Sequence, residues 1–156
     1  MKSGRRLGID YGDARIGLAL SDPSGIIATP LSTIKLSGFP TAFSEAMNEL
    51  VAIVEEHDIA VIYVGLPLHL SGGHGGSTMK VRNFVTELRI QVSVDIPIRF
   101  IDERLTTSSA QRQAREDGRS ASKENIDQLA ATIILESALD AEKLQGALAG
   151  KSVDEL

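Results

Sequence analysis

The chain has 156 residues and a formal net charge of −5 at pH 7, with 42% hydrophobic and 24% charged residues. This composition is ordinary for a globular domain and excludes a largely disordered chain, and no apolar run approaches the roughly 18 residues of a membrane-spanning helix. The absence of cysteine excludes disulfides, thiolate zinc sites and a cysteine nucleophile. We therefore expect a soluble cytoplasmic protein with no signal peptide and no association with membranes.

Three strand-like runs come first along the chain. Arg6–Gly12 and Arg15–Asp22 flank a short polar turn, which predicts a β-hairpin. The third run, Ile26–Ile34, contains Pro30, which favours a strand at the edge of a sheet. From Phe43 onward apolar residues recur at helical spacing, which indicates an amphipathic helix.

The remainder of the chain alternates strands with helices. Ala60–Pro67 is a continuous apolar run, typical of a central strand. A glycine-rich loop follows, and then a helix through Val81–Leu88. Ile96–Asp102 predicts a fifth strand, and we expect a short helix near Ser108–Glu116 and a long one over Lys123–Lys143.

The predicted element order is βββαβαβαα. Three meandering strands followed by two strand–helix units predict an α/β fold with a five-stranded mixed sheet flanked by helices. No internal repeat or linker divides the chain, so we expect a single domain over residues 1–145. Residues 146–156 are expected to form a flexible tail.

Charge is distributed unevenly towards the C-terminal end. Residues 104–123 carry five basic side chains against two acidic ones, whereas residues 136–156 carry five acidic side chains against two basic ones. A basic segment beside an acidic one permits a nucleic-acid partner without requiring it, because such runs also form solvated helix faces.

Four carboxylates interrupt or end apolar segments. Asp10 lies in the second half of the first strand, and Asp102 and Glu103 end the fifth. Asp127 lies at the N-terminal edge of the apolar stripe of the last helix. Taken singly, a capped turn, a surface turn and the helix dipole explain them. The predicted stripe consists of Ile126, Leu129, Ala130, Ile133 and Ile134.

Taken together, these acids favour a metal site. In such a sheet the first strand is usually central and parallel to the fourth and fifth, and ligands bind beyond the carboxyl ends of the strands. A last helix packed on the sheet would bring Asp127 to Asp10 and Glu103. Three carboxylates without cysteine or histidine are typical of Mg²⁺ or Mn²⁺ sites.

Four stretches resemble, in order, the signature motifs of the YqgF family, also called RuvX: GIDYGDARIGLALSD, VIYVGLPLHLSGG, DERLTT and KENIDQLAATIIL. The resemblance covers roughly residues Leu7–Leu139. It implies a ribonuclease H-like fold and a nuclease that processes the 5′ end of the 16S rRNA precursor. Its acids fall on Asp10, Glu103 and Asp127. Where the family more commonly has LNMDG, this chain has LHLSG, so Ser71 offers no carboxylate there.

The DER motif contains two acids, of which one can face a metal. Successive strand residues point to opposite faces, so Asp102 and Glu103 cannot both reach the same ion if the strand continues regularly. The family resemblance favours Glu103. Asp102 is then expected to have a structural role.

Basic and glycine-rich positions around the acids are candidate substrate contacts. Lys123 lies one helical turn before Asp127, where it would neutralise a phosphate oxygen. Arg104 and Arg15 are further candidates. Glycine main-chain N–H groups approach phosphates closely, although a flexible surface loop is the alternative. The loop candidates are Gly72, Gly73 and His74.

Other functions fit the same residues. Resolution of Holliday junctions or other branched DNA would use similar chemistry, usually from a symmetric dimer. A non-catalytic RNA-binding ribosome-biogenesis factor would retain only the fold. The first hairpin also resembles the phosphate-binding turn of actin and sugar-kinase folds, but those need two domains to enclose ATP. We expect an RNA precursor as the favoured partner, branched DNA as the alternative, and a monomer or weak homodimer.

Overall fold

The computed structural model describes residues 3–36, 41–67, 76–103 and 123–155. The strands are β1 (Arg5–Tyr11), β2 (Arg15–Ser21), β3 (Ala28–Lys35), β4 (Ile59–Leu66), β5 (Ile98–Asp102) and β6 (Lys151–Ser152). The helices are α1 (Ala42–Glu56), α2 (Gly76–Gln91) and α3 (Lys123–Gln145), and a 3-10 turn covers Val153–Glu155. No helix in these ranges is both long and apolar enough to cross a membrane.

The sheet is mixed, with strand order β3-β2-β1-β4-β5-β6. β1 is central: it pairs with β2 in antiparallel fashion and with β4 in parallel fashion, and β4 continues in parallel to β5. The predicted parallel arrangement of the first, fourth and fifth strands is therefore confirmed. β3 lies at one edge, as Pro30 predicts, and the ladder shifts register where Pro30 meets Ala19.

The predicted count of five strands is wrong by one. The sixth strand lies in the segment predicted as a flexible tail, where Lys151 pairs with Phe100 and Ser152 with Arg99. Ala149, just before it, is buried, and its carbonyl accepts a hydrogen bond from Arg99 Nε. A strand of two residues has no alternating pattern that a sequence can display. The predicted helix near Ser108–Glu116 lies outside the described residues.

The two faces of the sheet bury different kinds of side chain, because successive strand residues point to opposite faces. On β1, Leu7 and Ile9 enter the core under α1 and α2, whereas Gly8 touches α3. The core under α1 and α2 is built from large apolar residues such as Leu50 and Phe84. Close packing of such side chains stabilises this face of the sheet.

α3 packs on the opposite face through a narrow stripe of partly small residues. The buried members of the stripe are Ala131, Ile134, Leu135, Ala138 and Leu139. The predicted stripe is therefore offset: Ile134 belongs to it, whereas Ile126 is 42% exposed. The offset arises because α3 turns its small side towards glycines of the sheet, and a Cβ added at Gly8 would lie 2.8 Å from Leu135 Cβ.

Candidate active site

Asp10 and Glu103 meet at the carboxyl edge of the parallel strands, on the α3 side. Asp10 is the penultimate residue of β1, and Glu103 directly follows β5. Their side chains are hydrogen-bonded to each other. The parallel pairing of β1, β4 and β5 brings these strand ends together, as expected for ligand sites in α/β sheets.

The register of β5 separates the two acids of the DER motif. Phe100 lies in the core under α1 and α2, and Ile101 lies in the core under α3. Alternation then directs Asp102 towards the first core and Glu103 towards the second. A Cβ added at Gly65 would lie 2.5 Å from Glu103 Oε1 and 2.5 Å from Ile134 Cδ1 of α3. This geometry supports Glu103 as the acid of the site.

Burial and mutual repulsion raise the pKa values of both acids. The pKa of Glu103 rises to about 8, first because the carboxyl group is buried, then because of the charge of Asp10, the hydrogen bond to it and the charge of Asp102. Burial also raises the pKa of Asp10, the hydrogen bond from Glu103 lowers it, and the charge of Asp127 raises it. The Glu103 carboxyl group therefore donates to the Asp10 carboxylate, and the pair retains a proton at neutral pH.

Asp127 lies in the second turn of α3, paired with a cation from β2. Arg15 Nε donates to Asp127 Oδ2 at 2.6 Å, and the two side chains are 28% and 23% exposed. The helix backbone comes very close to β2 here, since a Cβ at Gly17 would collide with the Asp127 carbonyl oxygen. The sheet thus places the third acid next to the other two, but its carboxylate is engaged by Arg15.

The chemistry of these donors fits a hard divalent cation. Mg²⁺ typically binds one or two carboxylates and completes its octahedral shell with water and substrate phosphate, and Asp10 with Glu103 provides two carboxylates in contact. Among the described residues no three acidic, histidine or cysteine side chains converge on one point, and the Asp127 carboxylate is paired with Arg15. The residues therefore fit Mg²⁺ or Mn²⁺ on Asp10 and Glu103, with Asp127 adjacent.

Arg15 is the predicted substrate contact whose side chain the structure describes. Lys123 begins α3, one turn before Asp127, but its side chain lies outside the described part of the chain. The remaining candidates lie entirely outside it; they are Arg104, Gly72, Gly73 and His74.

The structure adds contacts near this end of the sheet, outside the site, that the motifs did not identify. Lys80 on α2 forms an exposed ion pair with Asp13 in the β1–β2 turn at 2.7 Å, and Tyr11 stacks on Phe84 with ring centroids 4.3 Å apart. The Lys80–Asp13 pair joins residues 67 positions apart and has no local sequence signal. The glycines under α3 do have one, because an isolated glycine inside a strand often marks a close backbone approach.

Comparison with known proteins identifies the family. The family model described as RuvX, Holliday junction resolvase, matches residues 4–141. The chain belongs to the RuvX family. The predicted resemblance to this family is therefore confirmed.

Curated relatives match over nearly the whole chain, and each carries the name "Putative pre-16S rRNA nuclease". The relative from Nocardioides sp. is 43% identical and is aligned over 99% of both chains. The relative from Streptomyces avermitilis is 42% identical over 99% of this chain and 97% of its own. The relative from Clavibacter michiganensis is 44% identical over 98% of this chain and 93% of its own.

Solved structures show the same fold at low sequence identity. Thermus thermophilus RuvC, in complex with a Holliday junction substrate, superposes with a TM-score of 0.58 at 12% identity, over 96% of this chain and 99% of that one. Another structure of T. thermophilus RuvC gives the same TM-score at 11% identity, over 95% of this chain and 99% of that one. The fold of this RuvX chain is thus ribonuclease H-like, as predicted.

Proposed function

We propose that this RuvX protein is a metal-dependent nuclease that hydrolyses phosphodiester bonds in the 5′ region of the 16S rRNA precursor, in the cytoplasm, as a monomer or weak homodimer. The observation that carries the proposal is the partly buried contact between Asp10 and Glu103 at the carboxyl edge of β1 and β5. Two partly buried carboxyl groups in contact cost stability unless a proton or a cation offsets their repulsion. The names of the curated relatives favour RNA as the substrate class.

Each acid has a distinct part in the proposed reaction. Asp10 and Glu103 would hold Mg²⁺ or Mn²⁺, with Asp127 as the third carboxylate. The chemistry that such a cation would supply is activation of water and stabilisation of the leaving oxygen. To act as a ligand, Glu103 would have to release its proton. Partial burial against α3 reduces contact with bulk water, which strengthens the electrostatic interactions of these carboxylates.

Basic residues around the acids are proposed to bind the substrate backbone. Arg15 is paired with Asp127 in the fold, and Lys123 lies one helical turn before Asp127 on α3. A positive charge at either position would stabilise a phosphate oxygen. Arg104 and the loop residues Gly72, Gly73 and His74 remain proposed contacts from the sequence pattern. Phosphate contacts of this kind make affinity fall as salt rises.

A second candidate function is the resolution of branched DNA. It is favoured by the description of the RuvX family as Holliday junction resolvase. Metal-dependent chemistry at the same acids would serve either substrate, so the nucleic acid that is cut decides between them.

The proposed function is tested by a cleavage assay with two labelled substrates. One is an RNA that carries the 5′ extension of the 16S precursor, and the other is a four-way DNA junction. We expect the wild-type protein to cut the RNA in Mn²⁺ and not in chelator, and Asp10→Asn to be inactive. Cutting of the junction alone would support a resolvase. RNA binding without any cutting would support a non-catalytic factor.

A further inference from the structure

We infer that Arg15 is a positioning residue that couples cation binding to substrate binding. In the cation-free protein its guanidinium holds the Asp127 carboxylate. When Asp127 turns to the cation, the guanidinium of Arg15 binds a substrate phosphate instead. The inference deepens the proposed function and rests on it. It assigns to this ion pair a regulatory role in assembling the site.

The Arg15–Asp127 pair is strong enough to form and open enough to exchange. Arg15 Nε donates to Asp127 Oδ2 at 2.6 Å, a charge-assisted hydrogen bond. About a quarter of each side chain is exposed, so water reaches both groups. An ion pair of this exposure favours the paired over the separated side chains by only about fivefold or less. A divalent cation and a phosphate can therefore compete for its two members.

A second arginine pair on the same face of the sheet shows the contrast. Arg6 donates to both carboxylate oxygens of Glu142, at 2.7 and 3.2 Å, and the side chains of this pair are only 2% and 3% exposed. Tyr63 Oη donates to Glu142 as well, at 2.7 Å. The Arg6–Glu142 pair is therefore almost completely shielded from water. Arg15 engages Asp127 through one N–H group in the described structure, which leaves other guanidinium N–H groups available for a phosphate.

The backbone of Asp127 is fixed, so that exchange requires motion of side chains alone. A Cβ at Gly17 would collide with the Asp127 carbonyl oxygen, which shows how tightly α3 lies on β2. The next residue, Gln128, donates from Nε2 to Thr33 Oγ1 of β3 at 3.1 Å. Asp10 pairs with Gly17 across the β1–β2 ladder, and the Asp127 backbone lies against Gly17, so Asp127 is positioned close to Asp10. Rotation of the Asp127 side chain therefore takes place within a rigid frame.

The arrangement predicts a thermodynamic coupling between cation and nucleic acid. In the cation-free protein the guanidinium of Arg15 is occupied by Asp127, and after the exchange it is available to phosphate. Linkage requires that the cation strengthen RNA binding by the same factor by which RNA strengthens cation binding. Without Arg15 the carboxylate of Asp127 has no competitor, so cation binding should tighten while the coupling disappears.

The test compares Arg15→Gln with Lys80→Gln, which removes one positive charge from the exposed Lys80–Asp13 pair near the same end of the sheet. Calorimetry of Mn²⁺ binding without RNA should show two- to fivefold tighter binding for Arg15→Gln, and a change of less than about twofold for Lys80→Gln. Thermal unfolding checks that both variants are folded.

The second readout is RNA affinity by fluorescence anisotropy with and without Ca²⁺, an oxygen-binding cation used in place of Mn²⁺, with RNA integrity checked after each titration. The cation should raise the RNA affinity of wild type and of Lys80→Gln by about fivefold or more, and should leave that of Arg15→Gln nearly unchanged. Coupling retained in Arg15→Gln, or Mn²⁺ binding that is unchanged or weakened, would overturn the inference. If wild type binds no Mn²⁺, or Asp10→Asn binds it equally well, the proposed metal site itself fails.

Discussion

The sheet face under α1 and α2 is filled by large apolar side chains, whereas the face under α3 carries glycines, ion pairs and the candidate active site. β1 contributes to both, because Leu7 and Ile9 point to the first face while Gly8 and Asp10 belong to the second. The apolar face supplies burial energy, roughly 25 cal/mol for each Å² of apolar surface. The stability gained there allows the other face to carry buried polar groups that cost stability.

The α3 face itself divides into a closed end and an open end. At the closed end Arg6, Glu142 and Tyr63 form a fully buried network, and Tyr63 Oη also accepts from the Ala149 amide at 3.1 Å. Burial raises the pKa of Tyr63 well above its ordinary value, so the phenol stays neutral and donates. At the open end, Arg15 and Asp127 use the same ion-pair chemistry with water nearby. The difference in burial separates a structural pair from an exchangeable one.

The largest expected effect separates the two faces at the end of β5. Glu103→Gln should lower the cleavage rate by about 10³-fold or more, since a metal contributes several kcal/mol to stabilising the transition state. It should also leave the melting temperature unchanged or slightly higher, because a repulsion between carboxyl groups is removed. Cleavage rates and thermal unfolding measure both effects.

The matched control for this prediction is Asp102→Asn, one residue away on the opposite face. It should retain measurable activity and lose some stability. An active Glu103→Gln together with an inactive but stable Asp102→Asn would show that the site uses the other acid of the motif.

The next largest effect concerns the closed network. Arg6→Leu leaves Glu142 buried without its cation, and removal of one partner from a buried pair costs about 3–5 kcal/mol of unfolding free energy. Urea unfolding measures this loss. Arg15→Leu, at the exposed pair, should cost about 1 kcal/mol or less. Equal losses in the two variants would contradict the distinction between a closed and an open end.

Much of this architecture is predictable from the sequence pattern. The central position of β1 and its parallel neighbours follow from the order of strands and helices, and Pro30 marks the edge strand. The hydrophobic period of α3 could not be assigned correctly, since Ala131 and Ala138 face the sheet there while Ile126 remains exposed. The orientation of α3 on the sheet depends on glycines in strands that are distant in sequence, so the local periodicity of the helix does not show it.

For the site, the identity of the acids was predictable but their partners were not. The placement of Asp10 beside Glu103 follows from parallel strands that end together. The pairing of Arg15 with Asp127 spans 112 positions, and the buried pair of Arg6 and Glu142 spans 136. Such pairs are set by tertiary packing, and a run of charges in the sequence does not specify them.

A smaller effect tests the close approach of α3 to β2. Gly17→Ala would drive a methyl group into the backbone of Asp127, and overpacking of this kind costs about 1–3 kcal/mol. Because the strain falls on a site residue, Mn²⁺ affinity measured by calorimetry should fall as well as stability measured by urea unfolding. Leu50→Ala, in the apolar core, should cost about 2–5 kcal/mol and leave Mn²⁺ affinity unchanged in the folded protein. Reduced Mn²⁺ affinity in both variants would mean that the two faces are not separable.

The shared proton of Asp10 and Glu103 determines how the site responds to pH. Burial raises the pKa of Glu103 from its ordinary value of 4.5 to about 8, so within this window the folded, cation-free protein holds a proton that the unfolded chain releases. The contribution of Glu103 to stability is therefore greatest below pH 4.5 and declines as pH rises to about 8. Cation binding has the opposite trend, because ligating carboxylates must be ionised.

Calorimetry of Mn²⁺ binding at about pH 6.5, in two buffers with different ionisation enthalpies, tests the central claim most directly by counting the protons released. We predict about one proton released for each ion bound by the wild-type protein, and tighter binding as the pH is raised towards 8. Glu103→Gln should lose both the proton release and most of the affinity. Mn²⁺ binding without proton release, or binding and proton release that are the same in Glu103→Gln, would contradict the assignment of Asp10 and Glu103 as the cation site.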